Sequence, residues 1–301
     1  MSDNVRAALL MMASLALLAL NDTAIKAVAM TVPLAQIVVL RNAITSTALA
    51  FALSRTRGSL RLSARDWRLT LMRGVGEAGA AYFYLTALIH IPFANLTAIL
   101  QATPFVVTLG AALFLGESVG WRRLSAILVG FLGVMLILRP GMEGFDRYSI
   151  YVLISVFFVT LRDLSTRRLS PEVSAISVTF ITSTMVMILY GVLSLGTPWV
   201  PMPGWTLLAV VCAAALVLAS YLLIIRAMRL GDISFVSPFR YTALIFALIL
   251  GLVVFGEWPD ALTLLGAAIV VASGLFMLYR ERRLGVTPDV PDELPEVPTK
   301  P

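Results

Sequence analysis

The chain has 301 residues, of which 59% are hydrophobic and only 13% charged, with a mean hydropathy of +0.92. An ordinary soluble domain is nearer half apolar and a quarter charged, so that class is excluded. The net charge of +6 and a pI near 9.8 would suit a nucleic-acid binder, but the basic residues fall in short connections between apolar blocks, and no nucleic-acid partner is expected. The single cysteine, Cys212, excludes an internal disulfide.

The apolar blocks are about 20 residues long, the length a helix needs to cross ~30 Å of hydrocarbon. The expected fold is an all-α polytopic membrane protein with ten spans, near 7–29, 33–54, 69–90, 94–115, 122–138, 148–168, 173–194, 205–225, 234–254 and 261–279. No cleavable signal peptide is evident, so the first span is expected to persist as a helix.

The first span carries Asn21, Asp22 and Lys26 in its second half. A charge at the bilayer centre costs about 2.5–3.5 kcal/mol on insertion scales, which makes an intramembrane ion a candidate functional residue. Asp22 and Lys26 lie four apart on one helix face and could pair. The second span holds Arg41, which has no partner on its own helix. Asp22 or Glu77 is its expected neighbour, in a structural or gating role.

In the third span Arg73 and Glu77 are again four apart. Arg73 sits near the edge, where it can snorkel, and Glu77 lies deeper, as the foremost candidate for a cavity carboxylate. Gly74, Gly76 and Gly79 permit a close helix neighbour, and Tyr82 and Tyr84 offer ring faces to a ligand. His90, the only histidine, reads as interfacial.

The fourth span holds Gln101 and Pro104 and finishes on Gly116-Glu117. Residues 116–120 spell G-x-S-x-G, but a serine hydrolase elbow needs a preceding strand and a histidine within reach. Here a membrane helix precedes Ser118, and His90 belongs to the opposite side. There is no Walker A sequence, HExxH or cysteine–histidine cluster, so no enzyme, cofactor or metal is expected.

The sixth span brings Asp163, with Arg162 beside it and Arg167 one turn on. The ninth opens on Pro238, Arg240 and Tyr241 and runs to Gly256-Glu257. Pro238 cannot donate an N–H and so frees the carbonyl of Ser234. Broken helices beside charges commonly mark transporter sites. The tail, 284–301, is rich in proline and acid and is expected to be disordered and cytoplasmic.

Arginines orient the spans. One set of connections holds Arg55, Arg57, Arg61, Arg65 and Arg68, then Arg122 and Arg123, Arg167 and Arg168, Arg226 and Arg229, and Arg280, Arg282 and Arg283. The other holds only Arg139 and Arg147, diluted by Glu143 and Asp146. The positive-inside rule then places both termini in the cytoplasm of a cell with the protein in its inner membrane.

At an offset of 140, IPFANLTAILQATPFVVTLGAALFLGE (91–117) lies on GDISFVSPFRYTALIFALILGLVVFGE (231–257), with Glu117 on Glu257. At 141, LNDTAIK (20–26) lies on LRDLSTR (161–167), with Asp22 on Asp163. Five spans per half reverses the second half in the membrane, so an inverted repeat of residues 1–141 and 142–283 is expected, with a substrate site between the halves.

These features, with VLRN (39–42), LMRGVGEAGAAYFY (71–84), TLRDLSTRRL (160–169) and PFRYTALI (238–245), resemble the drug/metabolite transporter superfamily, EamA type, over residues 5–283. The branch that includes S-adenosylmethionine uptake carriers is the most similar, and riboflavin carriers and metabolite exporters share much of the pattern. The resemblance implies a ten-helix secondary transporter, monomer or homodimer in the lipid bilayer, that carries a small polar or amphoteric molecule through a cavity between its halves. On that reading Asp22, Lys26, Glu77, Tyr82, Tyr84, Gln101, Asp163, Arg240 and Tyr241 are the candidate substrate-binding residues. Arg41, Arg73, Pro104, Glu117, Pro238 and Glu257 are the candidate structural or gating ones. Arg41 and Arg73 have no basic counterparts in the second half, so the pocket is electrostatically asymmetric.

Overall fold

In hydrocarbon every backbone N–H and C=O must find its partner within the chain, so apolar runs of this length fold as helices. The computed structural model describes residues 2–55, 62–116, 119–140, 146–170, 172–231 and 233–284, among which there is no strand. The helices are α1 (Asp3–Val28), α2 (Leu34–Arg55), α3 (Ala64–Leu88), α4 (Phe93–Leu100), α5 (Thr103–Leu115), α6 (Trp121–Leu138) and α7 (Arg147–Arg167). They continue with α8 (Ala175–Ser194), α9 (Gly204–Leu230), the single turn α10 (Ile233–Val236), a 3-10 turn (Ser237–Tyr241), α11 (Thr242–Phe255) and α12 (Ala261–Leu284).

Among the described residues, nine helical stretches are long and apolar enough to cross a membrane, counting α4 with α5 as one and the 3-10 turn with α11 as another. The tenth expected span, α3, is 25 residues long but carries Arg65, Asp66, Arg68, Arg73 and Glu77, and is not apolar enough alone. Large apolar side chains face outward, among them Leu113, Phe114, Trp121, Leu195 and Val253. That outer surface suits lipid.

The fourth and ninth spans are interrupted, the ninth at Pro238, where a broken helix is expected, and the fourth at Pro104, where no break is expected. Pro104 has no N–H for the carbonyl of Leu100 four residues back, and the helix parts at Gln101 and Ala102. The Thr103 hydroxyl takes the orphaned Leu100 carbonyl at 2.6 Å. Pro238 lies in the 3-10 turn that joins α10 to α11, where the tighter winding spares it a full α-helical ladder. Both broken spans end on a left-handed glycine, Gly116 at φ 73° and Gly256 at φ 67°, a backbone shape that costs glycine nothing.

The principal packing pairs are α1 with α9, α3 with α7, α6 with α12 and α2 with α8, followed by α3 with α8. Glycine sets the α3–α7 distance. A Cβ on Gly76 would sit 2.8 Å from the backbone nitrogen of Arg162 and 2.9 Å from the carbonyl oxygen of Phe158. That approach brings Glu77, the next residue, against Arg162. Where α6 crosses α12, Gly133 and Gly266 meet backbone to backbone, a Cβ on either falling within 2.8 Å of the other's carbonyl.

The start of α3 is tied to the α7–α8 connection. Ser63 caps the helix by accepting from the Asp66 N–H at 3.1 Å and donates to the Asp66 carboxylate at 2.6 Å. The Ser170 N–H and hydroxyl donate to the same carboxylate at 3.1 and 3.0 Å. These bonds, led by that from Ser63, hold the Asp66 carboxyl below its ordinary pKa.

Candidate functional site

Two groups of charged side chains lie within the spans, and they differ in access to water. The end of the bundle where α1 starts also holds Gly231, packed against Ala7. The first group lies towards the opposite, far end. Lys26 is buried and donates to the Ile91 carbonyl at 2.8 Å and to the Glu257 carboxylate at 2.7 Å. Glu257 accepts in turn from the Phe93 N–H at 2.8 Å. The Phe255 ring covers the ammonium, its centroid 5.0 Å away. Three segments distant in sequence are thus locked together: the end of α1, the α3–α4 connection and the end of α11.

Asp22 is buried one turn before Lys26 but does not pair with it. Its carboxylate accepts from the Tyr84 hydroxyl at 2.5 Å and from the Asn21 amide at 2.9 Å. The charge of Arg41, on α2, acts on Asp22, Tyr84, Tyr190 and Tyr221. Arg41 itself makes no ion pair with Asp22 or Glu77, the two neighbours its position suggested.

The second group is half-exposed. Arg162 donates to Asp163 at 2.8 Å and lies a looser 3.5 Å from Glu77, with 27%, 35% and 23% of the three side chains open to water. Tyr221 of α9 is 41% exposed and feels the charges of Glu77, Arg162, Arg41 and Arg73. Arg240, on the 3-10 turn, is exposed and feels the charges of Asp163 and Arg162. Water-exposed ions on helices otherwise faced by lipid require an aqueous cleft inside the bundle. The residues around it belong to α3, α7, α9 and the 3-10 turn, and the charge of Arg41 on α2 also acts on Tyr221.

The remaining candidates are placed as follows. Arg73 does not pair with Glu77, and instead donates to the hydroxyls of Thr166 on α7 and Thr182 on α8 at 3.0 and 2.9 Å. Tyr82 is half-buried, edge-on to Phe83, and acts on Tyr190. Gln101 sits at the α4–α5 break, its amide nitrogen buried and without a hydrogen-bond partner among the described residues. Tyr241 is buried, its phenol packed where any side chain on Gly274 would overlap it. His90 is exposed and stacks on Tyr148 with ring centroids 3.8 Å apart. Glu117, Ser118 and the tail from residue 285 lie outside the described residues.

Sequence reasoning treated Arg162 only as the neighbour of Asp163, and passed over Tyr190 and Tyr221. Ser220-Tyr221 is the polar interruption of an otherwise apolar α9, and that could have flagged it. Ser220 there bonds Ser14 of α1 at 2.9 Å.

The model of the EamA-like transporter family matches the chain twice, at residues 5–139 and 147–279. The chain belongs to the EamA-like transporter family. A riboflavin transporter of Vibrio cholerae is 32% identical over 238 residues, covering 75% of this chain and 76% of that one. The pseudopaline exporter CntI of Pseudomonas aeruginosa is 29% identical over 252 residues, covering 83% and 87%. An S-adenosylmethionine uptake transporter of Rickettsia bellii is 26% identical over 192 residues, 64% of this chain, and the match spans 66% of that relative's length, just under two thirds. A solved crystal structure shares the fold at a TM-score of 0.62 and 21% identity, covering 93% of this chain and 99% of that one. The family match and the membrane-crossing helices make the chain a multi-pass membrane protein, and these relatives are named as transporters.

Proposed function

We propose that this EamA-like protein is a secondary carrier that moves a small polar or amphoteric metabolite across the inner membrane by alternating access, with its termini in the cytoplasm. An S-adenosylmethionine-like nucleoside metabolite is the first candidate. Export of amino acids or toxic metabolites, or carriage of a riboflavin-type vitamin, is the alternative, supported by the riboflavin and pseudopaline relatives. The observation that carries the reading is the half-exposed Glu77–Arg162–Asp163 cluster at membrane depth, built from both halves of the chain. Ions held that loosely around water can exchange partners with a passing solute, whereas a structural pair gains nothing from being wet.

Two five-span halves of opposite orientation fit the packing. In the 140-residue register α1 corresponds to α7 and α3 to α9, so the contact of α1 with α9 exchanges into that of α7 with α3. The contacts of α2 with α8 and of α6 with α12 each map onto themselves. The double match of the family model supports the same division.

Purified protein in proteoliposomes should show saturable counterflow of a labelled metabolite. Flux that never saturates and shows no trans-stimulation would make it a channel. Orientation is tested in a Cys212→Ser background. A cysteine at Ser63 should react with an impermeant thiol reagent from the cytoplasm only, and one at Thr197 from outside only. Labelling of both from one side sinks the orientation.

A further inference from the structure

The charges inside the spans are not evenly matched. Apart from the closed Lys26–Glu257 pair, four guanidiniums, Arg41, Arg73, Arg162 and Arg240, stand against three carboxylates, Asp22, Glu77 and Asp163. Each carboxylate already has a direct donor: Tyr84 and Asn21 for Asp22, and Arg162 for both Glu77 and Asp163. Among the guanidiniums, Arg162 is committed to those acids and Arg73 to two threonine hydroxyls. Arg41 and Arg240 make no hydrogen bond or ion pair among the described residues; the charge of Arg41 acts on Asp22 and Tyr221, and Arg240 feels the charges of Asp163 and Arg162.

A guanidinium has five donors in a planar fork and no acceptor, and it cannot shed its charge to relieve the cost of sitting at membrane depth. Its complement is an anion, above all a carboxylate or phosphate that takes two bonds at once. A cationic group on a solute would find no vacant carboxylate. It would have to displace Tyr84 from Asp22 or Arg162 from its acids.

We infer that the cleft selects its cargo by an anionic group, which docks on Arg240 at the 3-10 turn, with Arg41 as a second anchor in the far half. This rests on the carrier reading above and narrows it: what the site reads in an amphoteric metabolite is the acid, while any positive or aromatic portion rests against tyrosines such as Tyr221. The unwound backbone places Arg240 where helix movement would carry a bound anion with it. The carboxylate and the phosphate share this chemistry, and matched probes separate them.

The test is ligand-induced thermal stabilisation of the detergent-purified full chain with two pairs. S-adenosylmethionine is set against its decarboxylated analogue, and riboflavin 5′-phosphate against riboflavin. The acid-bearing member of at least one pair should bind at least tenfold more tightly than its mate. Arg240→Ala should lose most of that preference, Arg240→Lys should keep part of it, and Arg41→Gln should weaken it several-fold. Should Arg240→Ala fail to purify, Arg240→Lys and Arg41→Gln decide the matter. Equal binding of both members, or acid preference intact in all of the variants, overturns the inference. If the acid-free members drive counterflow, the carrier reading stands and the anion rule falls. If no probe binds, the anion rule falls, and the carrier reading falls with it only where no metabolite shows saturable counterflow.

Discussion

The two charged groups of this molecule solve one problem in opposite ways. Around Lys26 and Glu257 the ammonium is nearly dry, the contacts are short, at 2.7 and 2.8 Å, and donors and acceptors are drawn from three separate segments. Around Arg162 the ions are half-exposed, one of the two contacts is stretched to 3.5 Å, and Arg41 and Arg240 have no direct partner among the described residues. A buried pair gains little over apolar packing but is costly to break, so it fixes the shape of the chain. A half-exposed pair is cheap to break, so it can be traded for a ligand. Closeness of contact and burial of the cation therefore separate the two groups here, although the residue types are the same.

The contrast can be broken most directly at the brace. Lys26→Ala strands the Glu257 carboxylate and should cost about 3–5 kcal/mol of stability. The double change Lys26→Met with Glu257→Gln, which removes both charges, should recover most of it. Denaturant titration of the purified proteins gives both numbers, and a stable Lys26→Ala would show that the dry pair braces nothing. The next effect is steric. Gly76→Leu must push α7 away from α3, costing about 1–3 kcal/mol by overpacking and separating Glu77 from Arg162. Its counterflow should fall more than its yield.

Glu77→Gln sharpens the other side of the contrast. Stability should change by no more than about 1 kcal/mol, because the pair is loose and wet, while transport falls at least tenfold. A variant that unfolds without losing specific activity would reassign Glu77 to the brace. The smallest effect is a pH slope. The folded-state pKa of Asp66 lies below its unfolded value, so the stability it supplies is present above the ordinary value of 3.8 and is lost as pH falls through the depressed one. Melting curves of wild type and Asp66→Asn should therefore converge as the medium is made acid, and parallel curves would refute the link.

Much of the architecture was legible in the residues. Apolar blocks marked the helices, Pro238 marked the interruption of the ninth span, and Gly116 and Gly256 marked the ends of the fourth and ninth. The partners of the charges were not legible, for a definite reason. Spacing on one helix identifies residues that can meet, and Asp22 with Lys26, and Arg73 with Glu77, both satisfy it. In the folded chain each of the four finds a better partner on another segment, because a neighbouring helix can offer a hydroxyl, a carbonyl or an ion at shorter range than the next turn does. The choice depends on interhelical distance, which Gly76 helps to set and no periodicity reports. Tyr190 and Tyr221 escaped notice because a tyrosine in an apolar run looks the same whether it faces lipid, core or cleft.

The polarity of α3 also has a consequence for biogenesis. This helix leaves the ribosome third, while Arg162, Thr166 and Thr182, which later satisfy Glu77 and Arg73, are synthesised some 80 to 110 residues afterwards. Until then its charges have no lasting partner in the chain, and its hydropathy alone does not hold it in lipid. The four-residue spacing of Arg73 and Glu77, unused in the finished protein, supplies a provisional pair during that interval. On the ten-span reading proposed above, integration of α3 would complete only when α7 and α8 arrive.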